Sequence, residues 1–426
     1  MEAIDPGEQA EHTRRLTTDG FARHGAQLPH ALFLQGEATF ERGFTVKEGL
    51  GTSDHGPPPG LRKVEDAVTG QGPDALACRD CHGRGGDDGH GERHQRAQLH
   101  GDGHRLASAS PRVAPHLAGV GLTQLLAAEM SVELRRQRES LRASVLAGHA
   151  EAPVRAYLSA KGVEFGSVTI ERDGGVSADG LRGVDADLVV RPFGWKGTQA
   201  SLADFARAAF RQHQGLELGP GDDDHDGVAG ELHEGQLLSM VAYLMLIDVP
   251  LTLAPSSERT ALAWERGARE FRDVGCAECH RPSLRLESFQ AHVPLADGGV
   301  AFTLDLLADG QVIPALDTLS YLQKGFDVPL FSDLRRHDLG AELSEREESG
   351  VGTTVFLTRP LWGLGDRGAG YLHDGRARTL GDAILAHGGE AAAARGRYQA
   401  LAEVDRRAID VFLTSLRRLP QVRFSP

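Results

Sequence analysis

Four cysteines constrain this chain more than any other feature. They are Cys78, Cys81, Cys276 and Cys279 in a chain of 426 residues. They form two C-x-x-C pairs, each followed at once by histidine: Cys78-Arg-Asp-Cys81-His82 and Cys276-Ala-Glu-Cys279-His280. None is left over for a structural disulfide or a lone nucleophile. A zinc ribbon needs its halves ~15–20 residues apart, and these pairs lie 198 residues apart. A thioredoxin-like redox pair sits at a strand-to-helix junction in a βαβ context, which neither segment has. The remaining chemistry is c-type haem attachment, two thioethers to the porphyrin with the adjacent His on the iron. With 19 His in the chain, a chance His after both pairs has a probability of about 0.2%. The pairs predict two covalently bound haem c groups, with His82 and His280 as iron ligands.

Thioether attachment takes place outside the bacterial inner membrane, so a periplasmic location is expected. The start, Met1-Glu-Ala-Ile-Asp-Pro6, shows neither a charged n-region nor an apolar h-region. The expectation is that an export signal was removed, or that the mature end follows an added Met. A net charge of −14 and a pI near 5.7 argue against a nucleic-acid partner or a polybasic membrane surface. The longest apolar run, Leu237 to Ile247, is too short to span a bilayer and is interrupted by Ser239.

The length predicts two or three domains. Residues 1–75, with the turn cluster Gly56-Pro57-Pro58-Pro59-Gly60, read as loops and short helices packed on a first haem domain at 76–250. A cytochrome c-like second domain is expected at 256–426, beyond a linker from Pro250 to Ser257. A helix is predicted from Ala118 to about Tyr157, with Leu122, Leu125, Leu126 and Met130 on one stripe. A small hairpin is predicted within Gly162 to Val190, a helix after the Ser201-Leu-Ala-Asp204 start, and another over Leu237 to Ile247. Ser257 can cap a helix whose face is Ala261, Trp264, Ala268 and Phe271, running into Cys276. Leu401, Val404, Ala408, Phe412 and Leu416 predict a closing amphipathic helix. The fold class expected is mainly α, two cytochrome c-like haem domains with little β structure.

Other motifs carry less. Gly363-Leu-Gly365-Asp-Arg-Gly368 matches G-x-G-x-x-G, but a turn-rich segment follows where a dinucleotide site needs a helix. His233-Glu234 would begin H-E-x-x-H, but Leu237 ends it. Asp222, Asp224 and Asp226 with Gly227 form the front half of a calcium loop. Position 12 is His233, where a carboxylate is expected, so a solvated acidic turn competes with a Ca²⁺ site.

Several segments resemble the bacterial di-haem oxidoreductases, a peroxidase family also labelled thiol oxidoreductases and related to di-haem cytochrome c peroxidase. They are Ser110-Pro-Arg-Val-Ala-Pro115, Phe193-Gly-Trp195-Lys-Gly197, Pro360-Leu-Trp362, Tyr371-Leu-His373-Asp-Gly375 and His387-Gly-Gly-Glu390. The resemblance implies that electrons from a small redox protein, a cytochrome c or a copper protein, enter at the C-terminal haem. They then pass to the N-terminal haem, where peroxide or another small oxidant is cleaved. In the family the sixth ligand of the C-terminal iron lies fourteen residues past the His of Y-x-H-D-G, which from His373 lands on His387. Trp195 is a candidate relay between the haems, against a buried Trp that fills an interface. The distal side of the first haem is the least defined. His94, His100 and His104 lie in the His-rich stretch after His82, with His100 preferred, and Glu129 is the candidate proton shuttle against a surface helix residue. Pro360 directly precedes Leu361, a departure from the family's P-x-L. Two other functions stay open: a plain electron-transfer cytochrome, and an oxidase of a protein or organic substrate acting through high-valent haem iron.

Overall fold

Eight helices of seven or more residues organise the described part of the chain: α1 (Leu28–Glu41), α2 (Val120–Leu146), α3 (Leu202–Ala209), α4 (Glu234–Leu246), α5 (Glu258–Asp273), α6 (Leu380–Ala386), α7 (Ala392–Ala400) and α8 (Glu403–Leu413). The structure is a computed structural model. It describes residues 28–51, 62–63, 75–82, 97–98, 112–221, 227–247, 251–252, 255, 257–294, 300–306, 326–367 and 370–417. Helix predominates, as expected, but strand is more plentiful than the sequence implied.

The predicted long helix stops at Leu146. Gly148 takes a left-handed φ of 72°, which a helix end favours, and Pro153 follows. Tyr157, expected on that helix, instead lies 73% exposed in a strand. The strands β1 (Val154–Ala160), β2 (Val163–Ile170) and β3 (Val176–Leu181) form an antiparallel sheet in that order. Alternation buries Leu158, Ala160, Phe165, Val168 and Ile170, as one-sided sheets require. Short ribbons follow: β4 (Leu284–Leu286) with β7 (Phe326–Val328), β5 (Gln290–Pro294) with β6 (Val300–Asp305), and β8 (Arg336–Asp338) with β9 (Val355–Leu357).

Both predicted helix starts are capped. Ser201 Oγ accepts from Asp204 N–H at 3.1 Å, and Ser257 Oγ from Thr260 N–H at 3.3 Å. Each cap stabilises its helix by about 1 kcal/mol.

Two hydrophobic cores form. The larger joins α1, α2, the three-stranded sheet, α3 and α4, and extends into β4 to β7 and Trp362. Residues 284–294 and 300–306 thus follow the second C-x-x-C-H in sequence yet pack with the first core. The smaller core surrounds Phe412 on α8, with ring centroids of Phe271, Phe331 and Trp264 at 5.3, 5.8 and 5.9 Å. Each buried aromatic contributes about 1.5–3 kcal/mol. Helices α5 and α8 cross closely at Gly267, where an added Cβ would lie 1.9 Å from the Ala408 carbonyl oxygen. This helix pair holds the segment that leads into Cys276.

Candidate haem sites

At the first motif, Arg79–His82 form a single helical turn. Asp80 stabilises its start by accepting from Leu76 N–H and Ala77 N–H at 2.9 and 3.1 Å. Cys78, Cys81 and His82 line one wall of a cavity of about 450 Å³. Phe40, Leu117, Phe205, Phe210, Met240 and Leu244 supply apolar lining, and Arg112, Trp195, His213 and Glu345 to Glu348 supply polar groups. Burial pushes the Cys78 thiol up to about 12, and Cys81 adds to the shift. Burial lowers His82 to about 4, helped by nearby His213. Its Nδ1 is buried with no hydrogen bond of its own. A neutral imidazole, a protonated Cys78 thiol and a large apolar cavity suit an attached haem. A reactive or zinc-binding pair would need thiolates.

At the second motif, Cys276 is likewise pushed up by burial, to about 11. His280 Nδ1–H donates to the Phe331 carbonyl at 3.1 Å, and burial lowers its pKa to about 4, with His387 the next contributor. His387, at the end of α6, donates from Nδ1 to the Ala383 carbonyl at 2.7 Å, and burial lowers it too. Each ring therefore keeps a proton on Nδ1 and a free lone pair on Nε2, the form a metal takes.

A buried charge array borders this motif. His337 Nε2 lies 2.9 Å from Asp333 Oδ2, and His337 Nδ1 lies 2.9 Å from Glu390 Oε2 and 3.8 Å from Cys279 Sγ. Burial alone would lower the His337 pKa, but its hydrogen bonds to Asp333 and Cys279 push it up to about 10. Cys279, Asp333 and His337 could in geometry hold a metal ion, although the sulfur belongs to the attachment motif.

Between the motifs, Trp195 Nε1–H donates to the Val113 carbonyl at 2.9 Å, and its ring stands edge-on to His373 at 6.4 Å. Val113 N–H donates to the His373 carbonyl at 2.8 Å, which ties the Y-x-H-D-G segment to the first cavity's wall. Lys196, fully buried, donates to the carbonyls of Gly352, Thr353 and Val355. Glu345 lies 2.8 Å from Arg112, 3.5 Å from His373 and 3.9 Å from Lys196. Burial nonetheless raises its pKa.

Several expectations are corrected or fall elsewhere. Glu129 is not brought to the first motif. It pairs with Lys161 Nζ at 2.6 Å and accepts from Glu287 N–H and Ser288 N–H, so it anchors the turn after β4 and is no proton shuttle there. Gly363 and Gly365 belong to a tight turn at Leu364–Asp366 followed by extended Arg367, not to a helix start. His94, His100 and His104 lie outside the described residues, as do Asp222, Asp224 and Asp226 of the calcium loop. The sequence missed His213, Glu345 and His337. The π-helical turn Phe210–Gln214, which carries His213, is a deviation frequent at functional sites, but it has no signature in residue pattern.

Two partly buried C-x-x-C-H segments, each with a neutral imidazole, present the donor set that c-type haem attachment uses. Residues 240–416 match the family described as "Di-haem oxidoreductase, putative peroxidase", the family the motifs resemble. That stretch contains the second attachment motif and not the first. No curated protein matches the chain. Among solved structures, a chain of Kuenenia stuttgartiensis hydrazine synthase under 20 bar xenon is similar at 18% identity and a TM-score of 0.26. The alignment covers 44% of this chain and 57% of that one. Among the described residues no helix is long and apolar enough to cross a membrane.

Proposed function

We infer that this chain is a periplasmic di-haem c-type oxidoreductase of the peroxidase kind. It would take electrons from a small cytochrome or copper protein at the Cys276–His280 site and deliver them to a small oxidant at the Cys78–His82 site. The observation that carries this reading is the cavity at His82: about 450 Å³, apolar around the attachment motif, with Arg112 and buried Glu345 on its wall. Haem bound there supplies an iron that binds and reduces an oxidant such as peroxide. The chain's own groups do the rest. His82 and His280 would hold the two irons, with the Phe331 carbonyl fixing the His280 tautomer so that its Nε2 is the nitrogen left for the metal. His387, close enough to influence the His280 ring electrostatically, would supply the second site's other ligand. Glu345 and Arg112 bring a carboxyl group and a guanidinium to the cavity wall, where general acid chemistry and charge stabilisation would need them. Trp195, on the wall of the same cavity, would relay electrons between the sites.

A second reading, a plain electron-transfer cytochrome, is favoured by His213, which shares the cavity with His82 and would close that iron if it binds. One experiment separates the two. The chain, expressed with a cytochrome c maturation system, should gain the mass of two haems that resist acid–acetone extraction. After half-reduction, hydrogen peroxide in stopped flow should oxidise the reduced haem rapidly with sustained donor consumption. Two low-spin haems that peroxide only bleaches slowly would decide for electron transfer, and one haem per chain would sink both readings.

A further inference from the structure

We propose that His337 is a positioning residue for the second haem: an imidazolium clamped between Asp333 and Glu390 beside the Cys279 sulfur, which raises that haem's reduction potential. The inference rests on the di-haem reading above. The geometry is that of a ring protonated on both nitrogens. Both ring nitrogens face carboxylate oxygens at 2.9 Å. Ionised carboxylates only accept hydrogen bonds, so both nitrogens must carry protons, and a ring with two N–H groups is a cation.

The surroundings hold that cation in place. His337 and Asp333 are 5% and 2% exposed. Asp333 Oδ1 accepts from Arg335 N–H at 3.0 Å, Glu390 Oε1 accepts from Asp338 N–H at 3.0 Å, and Arg335 Nη2 pairs with Glu390 Oε2 at 3.1 Å. Asp333, Glu390, His337 and Arg335 together are neutral. The cationic ring, however, is the member that touches the motif, with Nδ1 3.8 Å from Cys279 Sγ. Asp333 and His337 also act electrostatically on the His280 ring, in opposite senses and Asp333 the more strongly, so the charge on His337 offsets part of the Asp333 field there. Adding an electron to a haem is easier beside a positive charge, and the effect is larger where water is excluded. Two histidine ligands, His280 and His387, would set a low potential for this haem. An imidazolium at its thioether edge offsets part of that lowering and keeps the haem within reach of an external donor.

The test is a potentiometric titration of the holoprotein, with the two haems resolved by their midpoints. His337→Phe removes the cation and leaves the carboxylates. The second haem's midpoint should fall by at least about tenfold in its ferrous-to-ferric ratio, or about 59 mV for one electron. Glu390→Gln removes an anion but keeps an oxygen to accept from Nδ1–H, so the midpoint should rise. Opposite signs are the mark of charge, because mere loosening of the site would move both variants the same way. Unchanged midpoints, or shifts of one sign, overturn the proposal. If His337→Phe does not fold, the half-exposed Glu390→Gln decides alone, and no rise overturns the idea. A wild-type chain with one haem and zinc on Cys279, Asp333 and His337 overturns the proposal together with the di-haem reading. Two haems with unmoved midpoints overturn the proposal alone.

Discussion

Lys196→Met is the most direct probe of how the two halves are joined around the first cavity. The ammonium is 0% exposed and donates to the Gly352, Thr353 and Val355 carbonyls at 2.7, 3.2 and 3.1 Å, with the Phe356 ring centroid 4.5 Å away. Hydrogen bonds from a charged donor contribute about 1.5–3 kcal/mol each, so the three together reach about 5–9 kcal/mol before desolvation is counted. Desolvation of a buried ion opposes this by several kcal/mol. The lowered Lys196 pKa has burial as its first cause and reflects the same opposition. Methionine removes both terms but leaves three carbonyls without their donor, and the net loss should be about 3–4 kcal/mol. In a unit of 150–250 residues that lowers Tm by about 6–16 °C. The assay is thermal unfolding of the holoprotein by far-UV circular dichroism, with amide exchange of residues 352–356 as the local readout. A Tm loss under about 3 °C with unchanged protection there would refute the argument that this buried cation staples the Trp195 turn to the 345–357 segment.

Two further outcomes follow from the same geometry. His387→Ala should convert one low-spin haem to high spin and raise its potential, read by absorption and electron paramagnetic resonance; an unchanged spectrum removes His387 from the iron. His373 concerns acid stability: burial lowers its pKa from 6.5 to about 4, so the unfolded chain binds the extra proton between those values. Its contribution, up to about 3 kcal/mol, is therefore present above pH 6.5 and lost as pH falls toward 4. His373→Gln should flatten that part of the stability profile, and an identical acid slope in the variant would contradict the assignment.

The attachment motifs were legible because the chemistry demands all their donors within five consecutive residues, a spacing that survives any fold. Helix caps and amphipathic faces were legible for a similar reason, since Ser201 and Ser257 act on amides three residues away. His387 came from a count along the family's motif, and its ring does lie near His280. What failed was everything that depends on distant segments meeting. Glu129 has the composition of a proton shuttle on a helix face, yet tertiary packing commits it to Lys161 and to backbone 158 residues away. Glu345 and Arg112 meet across more than two hundred residues, and His337 reaches Glu390 across 53. Their burial and charge exist only once those segments pack together. The sequence by itself determined where the two C-x-x-C-H segments lie and which imidazoles follow them. Only the tertiary structure decided which charged groups surround those sites, because the low dielectric that gives such groups their effect is created by packing and by no local pattern.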